Sequence, residues 1–177
     1  TLMIIVSDNT ATDLLFEKTG GVDATNALMK QYGYTKIRAT APSKAWFDAL
    51  RATNAAEFHR AGKNPYGLGS ARELGLLLEK IKRGEAVSKK SSDMMLQIMR
   101  GQVYRSRLPK YVTAFTIPHK TGDFLPYIGN DVGVFESPTR NIVVSVFTAN
   151  HFGDGNALED AIARIGQQIA DYFAYRL

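Results

Sequence analysis

The stretch from Val132 to Thr148, VGVFESPTRNIVVSVFT, contains two runs of β-branched and aromatic residues separated by a short polar segment. Residues of these types favour strands, and the polar segment Ser137–Arg140 has the composition of a turn. The stretch therefore predicts an antiparallel hairpin with strands at Val132–Glu136 and Asn141–Thr148. A similar run at Val112–Pro118 predicts a third strand before the hairpin.

A long amphipathic helix is predicted after the hairpin. Asn156 followed by Glu159 is a helix-starting pattern, and apolar residues then recur at helical spacing. The residues expected to face a core are Leu158, Ile162, Ile165, Ile169, Tyr172 and Phe173. Such a helix can cover one face of the predicted sheet.

Helices are also predicted throughout the region before the strands. Pro42 marks a helix boundary ahead of Trp46, and Ser70 with Glu73 forms a capping box. The residues predicted to cap or open helices are Thr10, Asp23, Ser70 and Ser92. The order predicts an α+β fold, with a helical half at 1–110 followed by antiparallel strands and a covering helix at 111–177. Three strands are few for a stable sheet, so we expect further strands from an upstream segment.

The composition of the 177 residues is that of a globular chain, with 45% hydrophobic residues and no cysteine. A single domain is the default expectation at this length, and disulfide or thiolate chemistry is excluded. The apolar start, Thr1–Val6, lacks the basic leader and cleavage site of a signal peptide. No run approaches the roughly 20 apolar residues of a membrane span, so none is expected.

The net charge of +5 is concentrated between Lys80 and Lys110, where nine Lys or Arg accompany only Glu85 and Asp93. Such a stretch favours a solvated basic surface, with binding of a polyanion as the alternative. Aromatic residues are not interleaved there beyond Tyr104, and no nucleic-acid-binding motif is present. We therefore expect no nucleic-acid partner.

Two tripeptides carry the functional information: Ser7-Asp8-Asn9 before a predicted helix, and Lys120-Thr121-Gly122 at the end of a predicted strand. Each is weak alone, but their order and spacing resemble class A β-lactamases and penicillin-binding proteins, which carry S-D-N and K-T-G motifs. The resemblance extends over essentially the whole chain and includes Arg107-Leu108-Pro109 and Asp131-Val132-Gly133.

The resemblance implies a β-lactamase/transpeptidase-like fold and a serine hydrolase that forms an acyl-enzyme. Its substrate would be a β-lactam or a D-Ala-D-Ala-type amide from peptidoglycan, and no cofactor would be required. A periplasmic or secreted location is implied as well. An alternative is a non-catalytic binding or scaffolding domain of the same fold.

Six residues form the predicted site: Ser7, Asn9, Lys120, Thr121, Gly122 and Asp123. An acyl-transfer site needs a proton donor for the leaving nitrogen, a cation for a carboxylate and donors for an oxyanion. We assign Ser7 and Lys120 to proton transfer and charge, and Asn9 and Thr121 to substrate contacts. Gly122 leaves room beside the strand, and the Asp123 N–H lies where the family places an oxyanion donor. Asp8 is expected to brace its loop.

Two departures from the family pattern limit this expectation. No Ser-x-x-Lys exists in the chain, so the nucleophile and its lysine are absent, and we expect an upstream segment to carry them. Class A enzymes also deacylate with a glutamate on an intervening loop, and the corresponding stretch, Arg38–Trp46, has none. Glu57 is the nearest candidate, although a surface helix position is favoured. The sequence thus predicts ready acylation of an intact protein, slow turnover, and no activity of this chain alone.

The remaining polar candidates receive structural interpretations. His119 precedes Lys120 and should point to the opposite face of a strand, so we assign it a structural role. His59 and His151 have no partner at metal-ligand spacing, and no metal site is expected. Arg140, in the hairpin turn, could reach a substrate carboxylate, but an exposed turn arginine is the simpler interpretation.

Overall fold

Helices come first along the chain, then a block of strands, and then a long final helix. The computed structural model describes residues 1–60 and 66–174. The helices in these ranges are α1 (Leu2–Ile5), α2 (Asn9–Lys18), α3 (Gly21–Gln31), α4 (Ser43–Arg51), α5 (Ala55–Arg60), α6 (Ala71–Lys82), α7 (Lys89–Arg100) and α8 (Gly155–Ala174). The strands are β1 (Arg38–Ala39), β2 (Gly67–Leu68), β3 (His119–Phe124), β4 (Ile128–Glu136) and β5 (Asn141–Val146). This order confirms the α+β prediction.

The main sheet of the described chain is antiparallel, in the order β3-β4-β5, while β1 and β2 form a separate small pair. The hairpin prediction is confirmed, because Val134 pairs with Val143 and Glu136 with Asn141. The strand predicted at Val112–Pro118 is wrong. Only Thr116 forms an isolated bridge there, with Glu136, and the strand begins at His119 instead.

The error at 112–118 has a packing cause. Val112, Phe115 and Ile117 are each at most 7% exposed and belong to the hydrophobic core rather than to a hydrogen-bonded ladder. β-branched and aromatic residues report burial as much as strand pairing. Pro118 also lacks the N–H that a continuous ladder would need.

The sheet carries a hydrophobic layer on each face. Val134 and Phe135 are neighbours in β4, so their side chains point to opposite faces, and both are fully buried. Phe135 packs with Leu108 and with Ile162 of α8, whereas Val134 packs with Leu78 of α6. The chain is therefore a helix-sheet-helix arrangement built around β4.

Several predicted helix starts are displaced along the chain. Asp8, rather than Thr10, caps α2 by accepting a hydrogen bond from the Ala11 N–H at 2.6 Å. Ser88, rather than Ser92, caps α7, and Ser92 is buried with its hydroxyl donating to the Ala86 carbonyl. In both cases the true cap precedes the predicted one.

The predicted starts of α3 and α8 also lie after the true ones, whereas the predicted start of α6 is correct. Gly20 precedes α3, so Asp23 lies inside its first turn. Asp154 accepts from the Asn156 N–H at 2.9 Å at the start of α8. The Ser70 prediction is confirmed, because its hydroxyl oxygen accepts from the Glu73 N–H. The Glu73 carboxylate instead binds the backbone N–H groups of 35–37.

The face of α8 that packs on the core is predicted correctly at Leu158, Ile162, Ile169 and Phe173, and wrongly at Ile165 and Tyr172. Ile165 and Tyr172 are 40% and 51% exposed, while Ala163 and Gly166 lie against the protein. A Cβ at Gly166 would lie 2.4 Å from the Leu108 carbonyl oxygen, so only glycine permits this approach. Small residues therefore complete the buried face of the helix beside the larger apolar ones.

Much of the basic stretch from Lys80 to Lys110 is neutralised by ion pairs. Its paired members are Lys82, Arg83, Lys89, Arg100, Arg107 and Lys110. These contacts support the interpretation as a folded protein surface over that of a polyanion-binding face. Within the described ranges, every helix is too short or too polar to cross a membrane.

Candidate active site

The two tripeptides lie on opposite walls of one cavity of about 910 Å³. Ser7 and Asn9 contribute from the α1–α2 junction, and Lys120, Thr121 and Gly122 contribute from β3. The structure therefore brings together residues that are more than a hundred positions apart in the sequence.

Ser7 is held in an unusual backbone conformation, with φ at 55°. A non-glycine residue in this region costs of order 1–3 kcal/mol, and such residues cluster at functional sites. Two contacts anchor the preceding helix: the Val103 N–H donates to the Ile5 carbonyl, and the Gln102 side chain donates to the Ile4 carbonyl. The Asp8 cap fixes the following helix, so Asp8 braces this loop.

Lys120 projects from β3 to the opposite wall. Its ammonium donates to the Ser7 hydroxyl at 2.8 Å and also to the Thr121 carbonyl. Burial lowers the pKa of Lys120 below its ordinary value, against the opposing charges of Asp123 and Asp131. A lysine that holds its proton less tightly, in contact with a serine hydroxyl, is suited to proton transfer.

The residues after Lys120 shape the floor of the cavity. Thr121 is only 6% exposed, yet it lines the space. A Cβ added at Gly122 would meet no atom within 4 Å, so the volume beside this glycine is open. The Asp123 carboxylate accepts a hydrogen bond from Arg107 at 2.8 Å.

Arg107 is a component that the sequence analysis did not assign to the site. It is 2% exposed, and its guanidinium contacts Asp123, Glu159 and the Asn130 carbonyl. These contacts tie the end of β3 to β4 and α8. Within the described residues, the carboxylates lining the cavity are those of Asp123 and Glu159, and both contact this arginine. The motif Arg107-Leu108-Pro109 marked the position, but nothing in it indicated burial.

His119 lies on the face opposite to Lys120, as the strand alternation predicted. Its Nδ1 is 2.9 Å from Asp131 Oδ1, and both side chains are fully buried. The second oxygen of Asp131 accepts from the Leu108 N–H at 3.1 Å. This pair joins β3, β4 and the segment before the sheet, which is a structural role.

The other candidates lie away from the cavity lining. Glu57 is exposed in the first turn of α5 and exchanges hydrogen bonds with Asn54. Arg140 lies over the Phe173 ring at 5.3 Å. His59 Nε2 is 3.1 Å from the Asn150 side chain. No group of His, Asp or Glu side chains within residues 1–60 and 66–174 is arranged to hold a metal ion.

Residues 38–46, which are expected from chain order to correspond to the family's deacylating loop, include β1 and the start of α4. Asp13 fixes this start by accepting from the Ser43 and Lys44 N–H groups. Burial alone would raise the pKa of Asp13, but these bonds outweigh it and hold the pKa below its ordinary value. Trp46, one turn into α4, contributes an aromatic ring to the cavity wall.

The chain is similar to known proteins over nearly its whole length. Residues 1–173 match the model of the β-lactamase enzyme family. No curated protein sequence matches the chain. Among solved structures, a β-lactamase from Chitinophaga pinensis superposes with a TM-score of 0.82 at 23% identity, over 97% of this chain and 62% of that one.

Two further solved structures are more similar in sequence. A β-lactamase from Sphaerobacter thermophilus is 28% identical, with a TM-score of 0.76 over 94% of this chain and 57% of that one. PBP-A is 27% identical, with a TM-score of 0.79 over 98% of this chain and 59% of that one. The chain thus spans about three fifths of the length of these solved proteins. The match to the family model over residues 1–173 shows that this chain belongs to the β-lactamase enzyme family.

Proposed function

We propose that this chain supplies two walls of a serine acyl-transfer site acting on β-lactams or on D-Ala-D-Ala-type amides. The observation that carries the proposal is the 2.8 Å hydrogen bond from Lys120 to Ser7 across the cavity. It supports proton transfer from the lysine through the Ser7 hydroxyl, which we propose to reach the leaving nitrogen of the substrate.

The proposed chemistry follows from the placement of these groups. A serine hydroxyl attacks the carbonyl carbon and gives its proton to the lysine of its own Ser-x-x-Lys motif, which we propose as the base. The C–N bond breaks, and the leaving nitrogen receives a proton from the Ser7 hydroxyl, which takes one from Lys120. The Asp123 N–H is proposed as a donor to the oxyanion. Thr121 and Lys120 are proposed to bind the substrate carboxylate, and Asn9 the substrate amide. We place the attacking serine and its lysine on a segment of the same protein outside the 177 residues, because no Ser-x-x-Lys occurs within them.

Slow deacylation is the second part of the proposal. Hydrolysis of an acyl-enzyme needs a general base close to the attacking water. The stretch at 38–46 offers no carboxylate, and Glu57 is exposed and paired with Asn54. Asp123 and Glu159 are both engaged by Arg107. We therefore propose an enzyme closer to a peptidase or esterase than to an efficient β-lactamase.

The test is labelling of the natural full-length protein with a fluorescent penicillin, followed by intact mass measurement. The expected result is a stable adduct of one penicillin per protein, with steady-state hydrolysis of a reporter cephalosporin far slower than acylation. Ser7→Ala should slow acylation about a hundredfold or more, because the proton relay is lost. Glu57→Gln is the control, because Glu57 is exposed like Ser7 but does not line the cavity. This variant should leave the acylation rate unchanged. Absence of an adduct on the folded protein, or rapid hydrolysis, would contradict the proposal.

A non-catalytic scaffold of the same fold is the second candidate function. A folded full-length protein that forms no penicillin adduct would support it. We also propose a periplasmic or secreted location, where peptidoglycan substrates occur. Fractionation that finds the protein in the cytoplasm would contradict this location.

A further inference from the structure

The backbone that carries Arg107 is fixed by the residue that follows it. Leu108 is fully buried, and its N–H donates to the Asp131 carboxylate at 3.1 Å. The Leu108 carbonyl oxygen lies so close to Gly166 that a Cβ there would be 2.4 Å away. A closely packed segment of this kind resists displacement. The Arg107 side chain therefore extends from a fixed point into the cavity lining.

The guanidinium of Arg107 has an acceptor for each of its N–H groups. Nε donates to Glu159 at 3.0 Å, and Nη2 lies 2.8 Å from Asp123 Oδ2 and 2.9 Å from Glu159 Oε1. Nη1 donates to the Asn130 carbonyl at 2.8 Å and lies 3.5 Å from the Gly122 carbonyl. Gly122 pairs with Asn130 across β3 and β4. The arginine therefore holds the two strands together at this position and is fully occupied by protein groups.

Asp123 brings a negative charge into the cavity lining, at the residue whose N–H is proposed as the oxyanion donor. Its side chain is 46% exposed. An unpaired carboxylate at this position would repel both the substrate carboxylate and the oxyanion, because like charges a few ångströms apart raise each other's energy. Arg107, whose guanidinium stays protonated at ordinary pH, places the opposite charge 2.8 Å from it.

We infer that Arg107 is a positioning residue of this site that acts through Asp123. It neutralises the Asp123 carboxylate and holds the end of β3, so that the Asp123 N–H and the Lys120 ammonium face an anionic ligand. The charge and orientation of that ligand are those of the proposed function, on which the inference rests. A structural role alone would affect neutral and anionic ligands alike, and direct binding of the ligand by Arg107 would not depend on Asp123.

Calorimetry with two matched ligands separates these roles. The probes are N-acetyl-glycyl-D-alanine, which has a carboxylate, and its neutral C-terminal amide, each bound noncovalently to the 177-residue chain. Arg107→Gln leaves Asp123 without its counter-charge, so the anionic ligand should bind about tenfold more weakly and the neutral one less than about twofold more weakly. Adding Asp123→Asn to Arg107→Gln should restore the anionic affinity to within about threefold of the parent value.

Asp123→Asn alone tests the inference without removing the buried arginine. It takes a negative charge out of the cavity lining, so the anionic ligand should bind about threefold more tightly while the neutral ligand is unaffected. Arg83→Gln is the matched control. It also removes one positive charge, but from an exposed helical pair with Glu79 that lies outside the cavity lining. Both affinities should stay at the parent values.

Lys120 provides a second measurement that needs no ligand. Burial lowers the pKa of Lys120, and the charge of Arg107 lowers it further, whereas Asp123 and Asp131 oppose the shift. Arg107→Gln should therefore raise the pKa of Lys120, and Asp123→Asn should lower it. NMR titration of the lysine side-chain carbons measures both changes, and the double variant should fall between the two single ones.

Equal weakening of the two ligands by Arg107→Gln would show a structural role alone. Failure of Asp123→Asn to restore anion binding would show that Arg107 binds the ligand directly. Either result, or binding of neither ligand by the folded parent, would overturn the inference. If Arg107→Gln does not fold, an anionic affinity unchanged by Asp123→Asn would overturn it instead. Because the assay is noncovalent, failure to form a penicillin adduct would count against acyl transfer and leave this result intact.

Discussion

The ammonium of Lys120 donates a hydrogen bond to the Ser7 hydroxyl at 2.8 Å, although 113 positions separate the two residues. Ser7 adopts a positive φ in the same arrangement. The contact joins the two walls of the cavity, one from the helical half and one from the sheet. Its effects on the pKa of Lys120 and on the free energy of unfolding can be measured without a substrate.

Lys120 and Lys110 should be distinguishable by titration, because their pKa values shift in opposite directions. Burial lowers the pKa of Lys120, whereas the hydrogen bond to Asp160 raises the pKa of Lys110. A pH titration of lysine side-chain carbon resonances should therefore show Lys120 losing its proton first and Lys110 after the exposed lysines. Lys120→Arg and Lys110→Arg assign the signals by deletion. Titration of Lys120 together with the exposed lysines would contradict the prediction.

The charge of Lys120 should also cost stability at neutral pH. The pKa of Lys120 is lower in the folded protein than in the unfolded chain. Between these two pKa values the unfolded chain binds more protons than the folded protein. The free energy of unfolding therefore rises as the pH increases from the lower pKa to the higher one. Lys120→Met removes the buried charge and should raise the free energy of unfolding at pH 7 by about 1 kcal/mol. Urea unfolding measures the difference, which should shrink above pH 10.5. A large loss of stability at pH 7 would show that the Ser7 contact outweighs burial.

Two glycines of the sheet should respond oppositely to alanine. Gly122→Ala places a methyl group in open space, so the melting temperature should change little while ligand binding weakens. Gly133→Ala places a methyl group 2.9 Å from the His119 Cβ and 3.2 Å from the Pro118 carbonyl oxygen. Overpacking of this kind costs about 1–3 kcal/mol. Thermal unfolding and calorimetry compare the two, and equal destabilisation would refute the distinction.

Removal of the buried Asp131 carboxylate should be strongly destabilising. Asp131→Ala leaves His119 Nδ1 and the Leu108 N–H without their acceptor in a fully buried place. The expected loss is about 3 kcal/mol in the free energy of unfolding. Asp93→Ala is the control, since Asp93 forms an exposed helical pair with Lys89 and should cost less than about 0.5 kcal/mol. Similar unfolding midpoints for both variants would contradict this assignment.

Glu136 should make stability depend on pH in acid. Burial would raise the pKa of Glu136, but hydrogen bonds from Arg100 and Lys82 outweigh it and lower the pKa from 4.5. A lowered carboxylate pKa adds stability that is present above the unfolded value and lost as pH falls through the folded value.

Glu136→Gln should therefore lose about 2 kcal/mol at pH 7, because two charged contacts are weakened. Its difference from the parent protein should disappear in acid, well below pH 4.5. Asp48→Asn, which removes an exposed pairing within α4, is the comparison and should change stability little. Urea unfolding at both pH values tests the claim, and a difference that persists in acid would argue against the ion pairs.

The sequence predicted the layers of the fold better than it predicted where individual helices and strands begin and end. The β-branched and aromatic runs in 132–148 predicted the hairpin, and the Ser70–Glu73 capping box predicted the start of α6, because both signals are local in the sequence. The run at 112–118 misled because core packing and strand pairing select the same residue types. Helix caps at Asp8 and Ser88 were missed because other polar residues nearby satisfy the same pattern.

What the sequence alone determined was the chemistry available: the residues of the Ser7-Asp8-Asn9 and Lys120-Thr121-Gly122 motifs, the missing Ser-x-x-Lys and the missing glutamate at 38–46. Only the tertiary structure decided how those groups act, because the Ser7–Lys120 contact, the burial of Arg107 and the meeting of Trp46 with Phe124 are long-range. Local propensity and motif spacing contain no distances between segments that are far apart in the chain. Packing of the helical half against β3 sets those distances, and with them the charge and shape of the cavity.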